Sequence, residues 1–311
     1  MRRVQTTPHL RERNMPEEST VDAGAALDRL SVCEFTTPDL TFEEDLELYR
    51  EIGAAGISIC EVKLDDEDDD EVKVVKMRES GLKAAVCIPV NIAVLPADPL
   101  FPGPETIDDR VAAICDSIRR LARFEPASVC VITGAQRDLE AGEARQIAVE
   151  GLREAAEVAK ECGVRLSIEP LRTDGGLDIS LVRTVGETLE LIAEIGVDNV
   201  DIAYDVYHLW DTPDVLEVTA ANAPAVGGVH VCDWHEPPRG VGDRLVPGEG
   251  EMDLPPIIRA LEGGGFGGWY DLEIFSDKEL PDSLWKWPPR ELVEKGRDGF
   301  LSVWDRASKS A

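Results

Sequence analysis

Histidine is scarce in this chain, at 4 in 311 residues, and lysine supplies only 9 of its 32 basic residues. No apolar run reaches the roughly 18 residues that span a bilayer. The start, Met1-Arg2-Arg3-Val4-Gln5-Thr6-Thr7, has no apolar stretch of the signal-peptide kind. A cytoplasmic protein without membrane attachment is expected. The 7 cysteines are odd in number and include no C-x-x-C pair. Cys33, Cys60, Cys87, Cys130 and Cys232 each lie in an apolar strand-like run, so buried free thiols in a reducing compartment are expected. No G-x-G-x-x-G follows the first strand-like run and no P-loop occurs, which removes the usual signs of nucleotide binding. No serine or cysteine nucleophile stands with a paired base.

Positive charge is the largest deficit. Acidic residues number 62 against 32 basic, a net charge of -30. Such a surface repels polyanions, so a nucleic-acid partner is not expected. The acid lies on predicted helix faces and loops, as in Leu64-Asp65-Asp66-Glu67-Asp68-Asp69-Asp70-Glu71. That distribution fits a cytoplasm at molar salt, where screening shortens to about 3 Å, and a halophilic source is expected. Charge therefore says little about the ligand.

What is present is a sizeable core, 43% hydrophobic, in alternating segments. Residues 1–27 are polar and aperiodic and read as a loose arm; 28–311 read as one domain. Predicted strands are Leu30–Phe35, Gly56–Val62, Lys83–Val90, Ser128–Thr133, Arg165–Pro170, Val200–Asp205, Gly227–Cys232 and Trp269–Phe275. Apolar positions three and four apart predict helices over Phe42–Ile52, Ile107–Phe124, Gly142–Cys162, Leu181–Ile195, Pro255–Leu261 and Arg290–Trp304. The helix expected between the second and third strands is weak, because Asp65–Glu71 is almost pure acid. Eight strands alternating with helices predict a parallel α/β fold, a (β/α)8 TIM barrel.

Three of the four histidines, His208, His230 and His235, fall close together, and acidic residues accompany them at strand ends. Glu169 ends the fifth predicted strand, Asp205 the sixth and Glu273 the eighth, with His230 near the end of the seventh. Side chains two apart on a strand share a face, so these four can point into one barrel mouth. Taken singly, each is as readily a helix cap, an ion-pair partner or a core imidazole. Together, three carboxylates and an imidazole in a low-dielectric site call for a divalent cation.

The order Glu169, Asp205-x-x-His208, His230, a Gly-rich Pro247–Asp253 loop, then Glu273-x-Phe275 resembles the xylose isomerase-like TIM barrels. This superfamily includes ketose 3-epimerases, inosose isomerases and dehydratases, 3-dehydroshikimate dehydratase and endonuclease IV. The likeness is sharp from about residue 165 to 275. It implies Glu169, Asp205, His230 and Glu273 as ligands to one Mn²⁺, Mg²⁺, Co²⁺ or Zn²⁺, a set suited to hard or borderline ions. It implies an isomerase or epimerase of a ketose or cyclitol, in which Glu169 and Glu273 move a proton beside the carbonyl through an enediolate. His208 resembles a histidine that hydrogen-bonds the substrate.

The chain departs from this pattern. The epimerases carry an arginine soon after their second histidine; here Arg239 fits only across an insertion, Glu236-Pro237-Pro238. Gly175 stands where they have a glutamate. Glu61, at the second strand end, and His235 are further candidate substrate contacts, and Asp233-x-His235 offers a possible second metal position. Trp210, Trp234, Trp285 and Trp287 are candidate aromatic walls. A metal-dependent dehydratase, a non-catalytic sugar-binding barrel and an endonuclease IV-like hydrolase are the alternatives. The last needs histidines on the third and fourth strands, which have none. A homo-oligomer is possible.

Overall fold

The computed structural model describes residues 23–65, 69–173, 178–239 and 242–309. The strands are β1 (Leu30–Cys33), β2 (Gly56–Ser58), β3 (Lys83–Ala84), β4 (Val86–Cys87), β5 (Ser128–Val131), β6 (Arg165–Ile168), β7 (Val200–Asp205) and β8 (Val226–Val231). A short antiparallel ribbon of β9 (Asp233–Trp234) and β10 (Arg244–Leu245) precedes β11 (Trp269–Leu272). The barrel strands run parallel in the order β3-β2-β1-β11-β8-β7-β6-β5-β4.

β3 and β4 are halves of one strand, interrupted at Ala85. The Ala85 N–H donates to Ile57 O at 2.8 Å, and its carbonyl accepts from Ser128 N at 3.2 Å. A parallel bridge between Cys60 and Ile88 adds to the seam. The ladder therefore returns on itself as a TIM barrel with eight strand positions. All eight are where the sequence places them: Val200–Asp205 has the expected bounds, β8 is shifted back by one residue, and the other six stop earlier than expected.

The helices are α1 (Ala23–Leu27), α2 (Phe42–Glu51), α3 (Asp70–Ser80), α4 (Ile107–Leu121), α5 (Ala141–Glu161), α6 (Val185–Ile195), α7 (Val206–Leu209), α8 (Val215–Asn222), α9 (Leu254–Gly263) and α10 (Pro289–Lys309). Their ends follow local chemistry. Thr41 and Glu44 form a reciprocal capping box on α2, and the Thr106 and Thr184 hydroxyls accept from N3 backbone amides on α4 and α6. Gly196 closes α6 at φ 72°, a left-handed conformation that costs glycine little.

Of the expected arm, residues 1–22 lie outside the described residues. The rest is α1, with Ala26 fully buried. α3 is firmer than its acid content predicts. Asp70 at its start is buried and accepts from Arg120 at 2.9 Å and Arg123 at 3.0 Å, so part of the acid run is tied into the fold. Among the described residues no helix is long and apolar enough to cross a membrane.

Strands β5 and β7 are buried along their whole length, as a barrel covered outside by helices requires. The interior is filled by small or slim side chains, among them Ser31, Ser58, Cys130, Ser167 and Ala203. Gly228 is needed on β8 because a Cβ there would strike the Val86 side chain crossing from β4. This low packing leaves the bulkier polar groups to converge one layer higher, at the carboxyl ends of the strands.

Candidate metal centre

Four neighbouring strand positions each supply one side chain to the mouth. Strand register sets Asp205 beside His230, and His230 beside Asp271. The Glu169 and Glu273 amides donate to Val131 O at 3.0 Å and Val231 O at 3.1 Å, which carries the ladder one residue past β6 and β11 and fixes both side chains. One ligand atom from each of Glu169, Asp205, His230 and Glu273 lies within 4.8 Å of all the others. Ligands about 2.1 Å from a common ion stand about 3 to 4 Å apart, so small adjustments close the set. All four are buried.

His230 Nδ1 faces the carboxylates, 3.0 Å from Glu169 Oε1 and 3.4 Å from Glu273 Oε2. Arg244 spans the other side, with Nη1 2.8 Å from Glu273 Oε2 and Nη2 2.8 Å from Asp205 Oδ2. The contact to Asp205 Oδ2 is close but not aligned, and that oxygen has no hydrogen bond. The remaining glutamate oxygens meet buried thiols, Cys130 Sγ at 3.8 Å from Glu169 Oε2 and Cys33 Sγ at 3.6 Å from Glu273 Oε1.

Burial works against an imidazolium at His230, but Glu273 and Glu169 outweigh it and lift its pKa to about 10. Burial likewise opposes the Arg244 charge, while Asp205 and Glu273 hold it protonated. Desolvation raises Glu169. His208 is the opposite case: burial drops it to about 3, so its ring is neutral. Its Nδ1 accepts from Arg172 N at 3.4 Å and its Nε2 faces Asp205 Oδ2 at 3.6 Å.

Several expected contacts are placed elsewhere. Arg239 binds Asp243 at 2.7 Å and Asp282 at 2.8 Å, away from the cavity lining; Arg244 stands in the site instead. Glu61 turns outward, accepting from Val90 N at 2.8 Å and lying 3.6 Å from Arg120. His235 Nδ1 meets the Pro237 carbonyl at 3.0 Å. Asp233 accepts from Trp234 N and, in the Gly-rich loop, from Gly248 N and Met252 N, so its carboxylate anchors that loop. Trp285 lines the cavity, and Trp234 lies beneath Arg172 at 4.4 Å.

A family profile described as xylose isomerase-like TIM barrel matches residues 46–302. The chain belongs to this family. Within it, the inosose isomerase of Halalkalibacterium halodurans is 25% identical over 57% of this chain and 61% of that protein. The D-psicose 3-epimerase of Enterocloster bolteae is 31% identical over 42% of this chain and 40% of that one. The chain thus spans less than two thirds of either relative. Among solved structures, a Sinorhizobium meliloti 1021 protein superposes with TM-score 0.78 at 25% identity, covering 89% of this chain and 98% of that one. The IOLI protein, with a binding zinc atom, gives TM-score 0.71 at 20% identity, covering 88% and 97%, a likeness of fold.

The donor set of this xylose isomerase-like barrel fits a divalent ion. Three carboxylates against one guanidinium leave two negative charges, which a dication beside a neutral imidazole balances. Oxygen donors with one imidazole suit Mn²⁺, Mg²⁺, Co²⁺ or Zn²⁺. The unbonded Asp205 Oδ2 is a ready ligand atom.

Proposed function

We propose that this protein is a divalent-metal-dependent isomerase or epimerase acting on an α-hydroxy carbonyl compound of the ketose or cyclitol kind, in a salt-rich cytoplasm. The observation that carries this reading is the buried convergence of Glu169, Asp205, His230 and Glu273 at the mouth of the barrel. The names of the relatives, an inosose isomerase and a D-psicose 3-epimerase, support the reaction class.

Bound among these four side chains, a divalent cation would polarise a carbonyl and its neighbouring hydroxyl and so acidify the C–H between them. Glu169 and Glu273, from strands separated by β7 and β8, are the residues that take the proton from that carbon and return it. Arg244 holds Glu273 in place through a hydrogen bond from Nη1 to Oε2 at 2.8 Å. His208, neutral and held by the Arg172 amide, offers its Nε2–H toward the reacting oxygens. The buried, largely apolar surroundings keep bulk water from competing for the proton.

The test is a screen of α-hydroxy ketones, ketoses and inososes among them, in D₂O with Mn²⁺ supplied. Solvent deuterium should enter the substrate without loss of water, and EDTA should abolish the exchange. Turnover that survives EDTA overturns the metal-dependent mechanism. An enone or enol product absorbing in the near ultraviolet would move the protein to the dehydratases.

A further inference from the structure

The cavity above the metal centre has a volume of about 580 Å³. The charged side chains that line it, Glu169, Arg172, Arg244 and Glu273, are largely engaged with neighbouring groups. Arg244 serves Glu273 and Asp205, Arg172 binds Asp211 at 3.0 Å and stacks on Trp234, and Trp285 Nε1 donates to Ile274 O at 3.0 Å. The walls are apolar: Phe35, Val62, Ile88, Val90, Leu100 and Phe101 among the described residues. Phe35 packs on Phe275 with ring centroids 5.1 Å apart, making one continuous aromatic face.

The rim carries the same character out to solvent. Val62 is 63% exposed, Val90 57% and Leu100 44%. The other exposed large hydrophobics among the described residues, Val72, Val75 and Leu216, lie on helices α3 and α8. On a chain with net charge -30, apolar groups gathered round one cavity mouth mark a surface meant to be covered by a ligand.

We infer that the substrate is an α-hydroxy carbonyl compound whose body beyond the reacting pair is apolar, and that a free polyhydroxylated ketose is a poor fit. The inference rests on the isomerase reading for the reacting end and extends it to the rest of the molecule. Each hydroxyl placed against these walls loses its water partners and gains no donor or acceptor in return. An alkyl or aryl group loses nothing polar and buries the exposed valines.

The experiment compares D-fructose with 3-hydroxyhexan-2-one, which keeps the carbonyl and the C3 hydroxyl and replaces the hydroxymethyl group by methyl and the hydroxylated chain by propyl. Apparent Kd is taken from the ligand dependence of Tm of the Mn²⁺-loaded full chain. The acyloin should bind at least about tenfold more tightly than D-fructose. Val62→Ser and Val90→Ser, both at exposed positions, should each weaken acyloin binding about threefold while leaving Mn²⁺ affinity unchanged. D-fructose binding as tightly as the acyloin overturns the inference. So do serine variants that leave acyloin binding intact but alter the sedimentation behaviour, since the rim would then be a contact between copies. Exchange of the C3 hydrogen in D₂O reports separately on the reaction: tight acyloin binding with no exchange from either compound overturns the isomerase reading while the apolar specificity stands.

Discussion

Arg244 Nη1 lies 2.8 Å from Glu273 Oε2, with both side chains almost fully buried. The guanidinium is a permanent positive charge beside three carboxylates, whereas the other cation there, the His230 imidazolium, is lost when a metal loads. It also orients Glu273 before any substrate arrives. Removing one partner of such a buried pair leaves the other uncompensated, at a cost of about 3–5 kcal/mol.

Arg244→Met keeps much of the side-chain volume and removes the charge. In EDTA its Tm should fall by roughly 5–8 °C, since an unfolding entropy of about 2.1 cal/mol/K per residue makes each kcal/mol worth about 1.5 °C in a chain of 311 residues. Mn²⁺ should then raise the variant's Tm by more than it raises that of the wild type, because the ion takes over the neutralisation. Equal Mn²⁺-induced gains in the two proteins would show that Arg244 and the ion do not share one charge cluster.

The pH dependence of metal binding follows from His230. Its unfolded value is near 6.5, and in the metal-free fold Glu273 and Glu169 raise it to about 10. A raised value contributes stability that is complete below about 6.5 and is lost as pH climbs through about 10. A metal requires the neutral ring, so loading between these limits must expel one proton. Mn²⁺ affinity should rise about tenfold per pH unit in this range, and titration calorimetry in buffers of different ionisation enthalpy should count one proton released. Zero protons would mean that His230 is already neutral without metal.

Much of this site was readable in the sequence because barrel strands obey a period of two and end at one common face. Glu169, Asp205, His230 and Glu273 all lie on strands or one residue beyond, where the ladder still controls direction. Glu61 carries the same strand-end signature but not the same fate. β2 stops at Ser58, and residues Glu61–Lys63 form a 3-10 turn that swings the carboxylate toward Arg120. Periodicity has no hold past the last paired residue. Arg244 was missed for a related reason: it reaches the site through the β9–β10 ribbon, where Trp234 pairs with Arg244. The register of that ribbon is set by a loop that no strand pattern describes, so the nearer Arg239 drew the reading.

Glu273→Gln and Glu169→Gln separate metal holding from proton transfer. Each amide keeps an oxygen for the metal but gives up the negative charge and the basic site. Mn²⁺ should bind each variant more weakly, and at saturating Mn²⁺ the exchange of substrate C–H with D₂O should fall by at least about a hundredfold, the lower end of what general acid–base groups contribute. A variant that binds less metal yet exchanges normally when saturated is a ligand and not part of the proton relay.

The acid surface leads to a prediction of its own. At net charge -30, like charges on the folded chain repel at low ionic strength, and many visible ion pairs are exposed, as with Arg119 and Asp116 or Lys160 and Asp198, so they return little. Raising KCl toward molar levels shortens the screening length from about 10 Å to about 3 Å and removes most of that repulsion. Tm should therefore rise with KCl by about 1.5 °C for each kcal/mol relieved, and the gain should level off near 1 M, where neighbouring surface charges no longer sense each other. A Tm that is equal in dilute buffer and molar KCl rules out adaptation to salt. A gain that keeps climbing linearly past 1 M assigns the effect to ion exclusion from the surface and not to screening of these carboxylates.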